Sequence, residues 1–148
     1  MKQFIRKSVV LLVGFLMFQN YAVADNDKPI AFSSIPAAAQ QLVKKYFSNK
    51  KVAMTKMESN LVWKSYDVVF ASGEKLEFDG KGNWTEISCK SSSVPTALLP
   101  TAIAKYVKET YSGCTVLKIE KDRNEYEVKL SNGTEVTFNS QFVVTDID

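Results

Sequence analysis

Two stretches of the chain have apolar residues at helical spacing, and each is followed by segments in which apolar and polar residues alternate. The helical stretches are residues 35–47 (IPAAAQQLVKKYF) and 99–111 (LPTAIAKYVKETY). Both begin with an apolar residue followed by proline. Proline suits the first turn of a helix because the amide hydrogen that it lacks would be unpaired there. The spacing therefore predicts two amphipathic helices that pack their apolar and aromatic side chains into a core.

The alternation after each helix has a period of two residues, which is typical of strands with one buried face. Ser72-Gly73 and Asn132-Gly133 interrupt the alternation and favour tight hairpin turns. The predicted strands are about 51–58, 66–70, 75–78 and 83–88 after the first helix, and about 115–121, 126–130, 135–138 and 142–147 after the second.

The two halves of the chain therefore have the same pattern. Equivalent residues sixty positions apart are Tyr66 and Tyr126, Gly73 and Gly133, and Phe78 and Phe138. We predict an α+β fold with two tandem repeats, about 33–90 and 95–148, each made of one helix and four antiparallel strands. A half of this size buries a sheet poorly alone, so the repeats are expected to form one sheet with both helices on one face.

The alternation also assigns a charged outer face to this sheet, opposite the helices. If the strands are regular, two tryptophans lie on that face, where an aromatic side chain can anchor a protein or peptide partner. Tryptophans that cover a sheet edge or fill a gap beneath a loop would fit the same pattern. The candidate binding residues are Trp63, Trp84, Asp67, Lys75, Glu77 and Glu86.

The first 24 residues have the layout of a secretory signal peptide. A basic segment precedes the apolar run 9–18, and Ala22-Val23-Ala24 forms a cleavage site. The run is shorter than the roughly 20 apolar residues of a membrane span. We therefore expect a periplasmic or secreted protein with a signal peptide at 1–24, a mature domain at 25–148 and no membrane span after cleavage; an uncleaved N-terminal anchor is the alternative.

Charge and composition narrow the classes of function. The chain has 19 basic and 16 acidic residues, but three of the basic residues precede the cleavage site, so the mature part is formally neutral. This argues against nucleic acid or an anionic membrane surface as the partner. The sequence has no histidine, which excludes histidine-activated nucleophiles and histidine metal sites. We expect no cofactor, no metal and no enzymatic activity, although hydrolysis by carboxylates such as Asp67, Glu77 and Glu86 would need no histidine.

Two further features were candidates for chemistry. Cys89 and Cys114 can form a disulfide in an exported protein, and two free, half-buried thiols are the alternative. The glycine-rich segment Asp79–Asn83 could in principle hold calcium or phosphate. Lys81 stands where a calcium loop needs an oxygen ligand, which argues against calcium. The segment precedes a predicted strand, whereas a phosphate site requires a helix, which argues against phosphate. We predict that this segment is a turn that joins two strands and directs Trp84 to the outer face.

The paired helices, the Tyr66-x-Val68 strand, the hairpin from Gly73 to Phe78 and the ending from Asp79 to Trp84 resemble the PepSY-like, beta-lactamase-inhibitor-like family over roughly 33–148. The resemblance implies export by a Gram-negative bacterium, and an antiparallel sheet with helices on one face. It also implies a concave opposite face, which in the inhibitor binds an enzyme. Residues on the family pattern are Pro36, Tyr66, Gly73, Phe78, Gly82 and Trp84.

The sequence therefore indicates an exported, non-catalytic module that binds a protein or peptide through the open face of its sheet. The alternative is an inhibitor or modulator of an exported peptidase, another enzyme or a sensor protein.

Overall fold

The computed structural model describes residues 27–148, which form one nine-stranded antiparallel sheet and two α-helices. The strands are β1 (Asp27–Pro29), β2 (Val52–Ser59), β3 (Lys64–Phe70), β4 (Lys75–Asp79), β5 (Trp84–Ser88), β6 (Val116–Asp122), β7 (Glu125–Leu130), β8 (Glu135–Asn139) and β9 (Val144–Ile147). The helices are α1 (Ala37–Tyr46), before β2, and α2 (Thr101–Thr110), between β5 and β6. The order of the strands in the sheet is their order in the sequence.

The α+β class is confirmed, and both helices and β2 to β9 lie within two residues of their predicted limits. The sequence did not predict β1, which has three residues and therefore no alternation to detect. It pairs with β2, and Asp27 accepts a hydrogen bond from the Lys56 ammonium at 2.8 Å. The predicted signal peptide lies outside the described residues.

Both helices lie on the same face of the sheet. The Phe47 ring, at the end of α1, stacks on Phe70 at 5.3 Å between ring centroids. Tyr106 of α2 meets Phe138 edge to face, also at 5.3 Å. The strand registers place Phe70 and Phe138 on one face, and these side chains belong to a single buried core. In β3, β4, β7 and β8 the inward side chains that the alternation predicts are buried, except Tyr126, which packs against this core half-exposed. In the last strand of each half, Ile87 is buried as predicted, but Thr85 is half-buried and Thr145 and Ile147 are exposed. The reason is that β5 and β9 both carry a register shift and β9 is the edge strand.

The Asp79–Asn83 segment is a turn between β4 and β5, as predicted. The Asp79 carboxylate accepts hydrogen bonds from the backbone amides of Lys81 and Asn83, both at 2.9 Å. These bonds close the segment into a tight turn around the Asp79 carboxylate. Gly82 has a φ of +89° and lies directly against the start of α1. The segment therefore positions the helix on the sheet.

The turn between β3 and β4 buries a charge that the sequence pattern did not reveal. Glu74 is 1% exposed, and its carboxylate lies 2.9 Å from the Lys50 ammonium. Ser72 donates a hydrogen bond to one carboxylate oxygen, and Ser92 donates to the other at 3.0 Å. Burial raises the pKa of Glu74, but these hydrogen bonds outweigh it and lower the pKa to about 2. Glu74 thus joins the turn to the segments before β2 and after β5.

The predicted disulfide is not formed, and the alternative of two free thiols describes the structure. Cys89 is buried and Cys114 is half-buried. The amide of Cys89 donates to the carbonyl of Leu117 in β6, three residues after Cys114 in the sequence. Among residues 27–148, no helix is both long and apolar enough to cross a membrane.

Candidate functional site

The outer face of the sheet carries a row of five carboxylates on five adjacent strands. Each lies directly opposite the next in the strand registers, and we call them the acidic row. Its members, from β3 to β7, are Asp67, Glu77, Glu86, Glu120 and Glu127. Like charges placed directly opposite one another on neighbouring strands destabilise a sheet. The fold therefore tolerates an unfavourable arrangement at this place.

Two lysines in the next row compensate part of this charge. The Lys75 ammonium lies 3.3 Å from Asp67 and 3.8 Å from Glu77. The Lys118 ammonium lies 3.2 Å from Glu120 and 3.8 Å from Glu86. Each cation is thus shared by two carboxylates. Among the residues that the structure describes, no lysine or arginine lies within ion-pair distance of Glu127.

A shallow cavity of about 400 Å³ lies on this face beside the acidic row. Trp63, just before β3, forms one side of it and is 45% exposed. Lys64 and Lys121 are the basic residues of the lining. The carboxylates of the lining are those of Glu58, Glu77, Asp79, Glu86, Glu120 and Asp122. The cavity therefore combines an aromatic surface with an excess of negative charge.

A side chain-to-backbone turn fixes the position of Trp63. The Asn60 side-chain oxygen accepts hydrogen bonds from the amides of Val62 and Trp63, at 2.9 and 3.0 Å. The Asn60 amide in turn donates to the Trp63 carbonyl at 3.0 Å. Leu61 and Val62 are fully exposed at the tip of this turn. The turn thus presents an apolar tip and a partly exposed tryptophan whose backbone is held in place by hydrogen bonds.

The predicted position of Trp84 on the outer face is wrong. The register between β4 and β5 shifts, because Glu77 lies opposite Glu86 whereas Phe78 lies opposite Trp84. Thr85 is therefore an extra residue, a β-bulge, and such a bulge reverses the face of the side chain before it. Trp84 is half-buried and packs against the core beneath the helices. The other five candidates, Trp63, Asp67, Lys75, Glu77 and Glu86, lie on or beside the outer face.

Burial, together with neighbouring carboxylates, changes the protonation of two members of the row. Burial raises the pKa of Glu86 to about 7, and the neighbouring Glu120 and Glu77 add to this shift, while Lys118 opposes it. Burial also raises the pKa of Glu127 to about 7, together with the charges of Glu120 and Glu135. At neutral pH both side chains are therefore only partly ionised.

Replacing Glu86 with glutamine should stabilise the protein above neutral pH. A raised carboxyl pKa means that the folded state binds more protons than the unfolded state between about pH 4.5 and 7, so stability falls as the pH rises through this range. We expect Glu86→Gln to raise the free energy of unfolding by about 1–2 kcal/mol at about pH 8 and by little at about pH 4.5. Urea denaturation at both pH values measures this difference.

Glu58→Gln is the control, since Glu58 is exposed at the rim of the same face. A stabilisation of Glu86→Gln that is equal at both pH values would contradict the assignment of the effect to the carboxylate charge.

A larger cavity, of about 770 Å³, lies elsewhere, along α2 and the segment that follows it. Its lining includes Cys114 and Tyr111, with Lys105, Lys108 and Glu109 at its rim. Its charges are few and it contains neither tryptophan. We therefore take the outer face, with its concentrated charge and exposed aromatic residue, as the candidate site.

Sequence reasoning missed Glu120, Lys118 and the alignment of the row. The alternation around Ile119 in β6 places Glu120 outward, so this signal was present in the sequence. The alignment was not, because it depends on β5 pairing with β6 across the long connection through α2. Among residues 27–148, no group of three or more acidic, cysteine or histidine side chains is arranged to hold a metal ion.

Comparison with known proteins gives close relatives. The beta-lactamase-inhibitor-like, PepSY-like family matches residues 64–146. A structure described as a putative periplasmic protein from Bacteroides vulgatus is 55% identical, with a TM-score of 0.82, and the match covers 84% of this chain and 98% of that one. A second B. vulgatus protein, of unknown function, is 42% identical over 82% of this chain and 98% of that one, with a TM-score of 0.77.

A third solved structure, from Bacteroides thetaiotaomicron, is described as a putative calcium-regulated periplasmic protein. It is 54% identical, the match covers 84% of this chain and 98% of that one, and the TM-score is 0.81. No curated protein matches the chain significantly.

Proposed function

The chain belongs to the beta-lactamase-inhibitor-like, PepSY-like family, and we propose that it is an exported, non-catalytic module that binds a protein or peptide through the outer face of its sheet. The observation that carries this proposal is the open sheet face with the partly exposed Trp63 at its rim, whose backbone is hydrogen-bonded to Asn60. Fixed aromatic side chains contribute much of the binding energy in protein interfaces. The helices cover the opposite face, so the outer face is the one left for a partner.

The protein is periplasmic or secreted, as the sequence predicts and as its close relatives from Bacteroides species support. Within the proposal, residues 1–24 are a signal peptide whose removal leaves a mature domain of residues 25–148. A calcium response, as in the description of the B. thetaiotaomicron protein, is not part of the proposal for this chain. Its carboxylates lie in a row along the sheet, and a calcium site needs oxygens that converge on one point.

We further propose that residues 33–90 and 95–148 are two copies of one helix-plus-four-strand unit. The strand-joining turns support this. Asp79 accepts bonds from the amides two and four residues later, and Asn139 accepts the same two bonds, from Gln141 and Val143, both at 3.0 Å. The acidic row crosses from one proposed copy to the other between Glu86 and Glu120. The binding face is therefore a property of the joined sheet.

The two tryptophans allow a matched test of this proposal. Trp63→Ala should leave the free energy of unfolding within about 0.5 kcal/mol of the wild type, because the side chain is exposed. Trp84→Ala should lower it by about 2–3 kcal/mol, because the ring packs against the core. Urea denaturation measures both values.

The binding arm of the test uses the immobilised, purified exported protein to capture partners from a native periplasmic extract, identified by mass spectrometry. We expect Trp63→Ala to lose the captured partner while remaining folded. Equal capture by Trp63→Ala and the wild type would refute the use of this face.

The inhibitor-like character of the family favours one alternative, the inhibition or modulation of an exported peptidase, another enzyme or a sensor protein. The two functions share the same face and differ in the consequence of binding. Adding the purified protein to an identified partner enzyme and measuring its turnover separates them, since a binding module leaves turnover unchanged and an inhibitor lowers it.

A further inference from the structure

The charge of the outer face indicates what kind of partner it fits. The acidic row holds five carboxylates, and the two lysines in contact with it are each shared between two of them. The cavity beside the row has six carboxylates and two lysines in its lining. When all these groups are ionised, the five carboxylates of the row outnumber the two lysines that contact them, and the face has an excess of negative charge. A positively charged partner would neutralise this excess of negative charge.

Trp63 adds an observation of a different kind. Its ring borders the same cavity as Glu77, Glu86 and Glu120. A cation placed against the face of a tryptophan is attracted by the ring, and a guanidinium group can at the same time form paired hydrogen bonds to carboxylates. A side chain that satisfies both surfaces must be long, largely apolar along its stem and positively charged at its end. Arginine and lysine are the two side chains with this form.

We propose that the partner inserts an arginine or lysine side chain into the cavity between Trp63 and the acidic row, so that the face recognises a basic segment of a protein or peptide. This inference rests on the proposed binding function and adds the chemistry of the partner. The exposed Leu61 and Val62 at the adjoining tip then contact apolar residues beside the basic one.

A basic side chain bound in the cavity gives a reason for a row of carboxylates that destabilises the free protein. Directly opposed carboxylates cost stability in the free protein. Burial raises the pKa of Glu86, and the neighbouring Glu120 and Glu77 raise it further. Glu86 is faced by Glu77 from β4 and by Glu120 and Lys118 from β6. An added cation favours the ionised form of Glu86, so binding should release protons and become tighter as the pH rises through about 7. A purely structural row would give no such dependence.

The test begins with selection of peptides from a random phage-displayed library on the immobilised exported protein. We expect the selected peptides to be enriched in arginine or lysine. A selected peptide is then synthesised with its basic residue and with a neutral replacement of the same shape, citrulline for arginine or acetyl-lysine for lysine. Fluorescence anisotropy should show at least roughly tenfold weaker binding of the neutral peptide, since a charge-assisted contact is lost.

Protein variants locate the peptide. Trp63→Ala and the double variant Glu77→Gln/Glu86→Gln should each weaken binding of the basic peptide by about tenfold or more. Glu109→Gln, an acid on the exposed side of α2, is the matched control and should bind as the wild type does. Both site variants are expected to remain folded, because Trp63 is exposed and the loss of row carboxylates relieves repulsion.

The outcomes separate this inference from the proposed function. Peptides that need Trp63 but lack basic residues, or that bind equally with citrulline, would overturn the inference and leave the binding function standing. Peptides that bind Trp63→Ala and the wild type equally, or a failure to select any peptide, would overturn both. Calorimetric titration with calcium alone tests the other occupant: binding that Glu86→Gln abolishes would assign the row to a metal ion and overturn the inference.

Discussion

Replacing Glu74 with alanine is expected to lower the free energy of unfolding by about 3 kcal/mol at neutral pH. The side chain is almost completely buried and its two oxygens receive bonds from Lys50, Ser72 and Ser92. Removal of the carboxylate leaves these donors without their acceptor, inside a region that joins the β3–β4 turn to the segments before β2 and after β5. Lys50 is 24% exposed and regains some water, which keeps the cost below that of a fully buried charge.

The pH dependence identifies the ionised carboxylate as the cause. Because the pKa of Glu74 is lowered to about 2 in the folded state, its contribution is fully present above the unfolded value of about 4.5 and is lost as the pH falls towards 2. Urea denaturation of the wild type and of Glu74→Gln should therefore give curves that converge in acid. Glu109→Gln, which removes an exposed acid 4.0 Å from Lys105, is the control and should change stability little. A Glu74→Gln deficit that is independent of pH would show that shape, and not charge, stabilises this turn.

Periodicity in the sequence was sufficient to predict the helices, the strands β2 to β9 and the inward faces of the hairpins. These features depend on local alternation and on glycine at tight turns, such as Gly73 and Gly133, whose φ values are +100° and +89°. The strand β1 is too short to show a period. Glu74 lies in a turn, where alternation assigns no face, so its burial is a consequence of two distant segments, around Lys50 and Ser92, meeting the turn.

The candidate site was only partly predictable for the same reason. Glu77 and Glu86 follow from alternation within their strands, and Trp63 follows from continuing the alternation of β3 to the residue before the strand. Trp84 does not, since the single extra residue Thr85 shifts the register and moves the ring to the core side. A β-bulge leaves no mark in the period of so short a strand. The acidic row itself depends on which strands become neighbours. Glu86 and Glu120 are paired across β5 and β6, which are separated in the sequence by α2.

The contact between the β4–β5 turn and α1 provides the second large effect. A Cβ atom on Gly82 would lie 2.8 Å from the Pro36 Cβ and 3.1 Å from the Ala39 nitrogen. Neither the proline ring nor the helix backbone can move aside easily, so the helix would have to shift on the sheet. Overpacking of this kind costs about 1–3 kcal/mol, in addition to about 1 kcal/mol for a side chain at positive φ. We expect Gly82→Ala to lower the free energy of unfolding by about 2–4 kcal/mol.

Gly133→Ala separates the two contributions, because Gly133 has the same φ of +89° and its Cβ would meet nothing within 4 Å. It should cost only the backbone strain, about 1 kcal/mol in urea denaturation. The turn between β8 and β9 supports the separation of backbone strain from steric clash. At the position equivalent to Gly82 it has Phe142, which adopts a φ of +60° and packs its ring on Tyr126 at 5.3 Å between ring centroids. Equal losses for the two alanine variants would mean that α1 is free to move on the sheet. In that case the turn would not be what holds the helix in place behind the binding face.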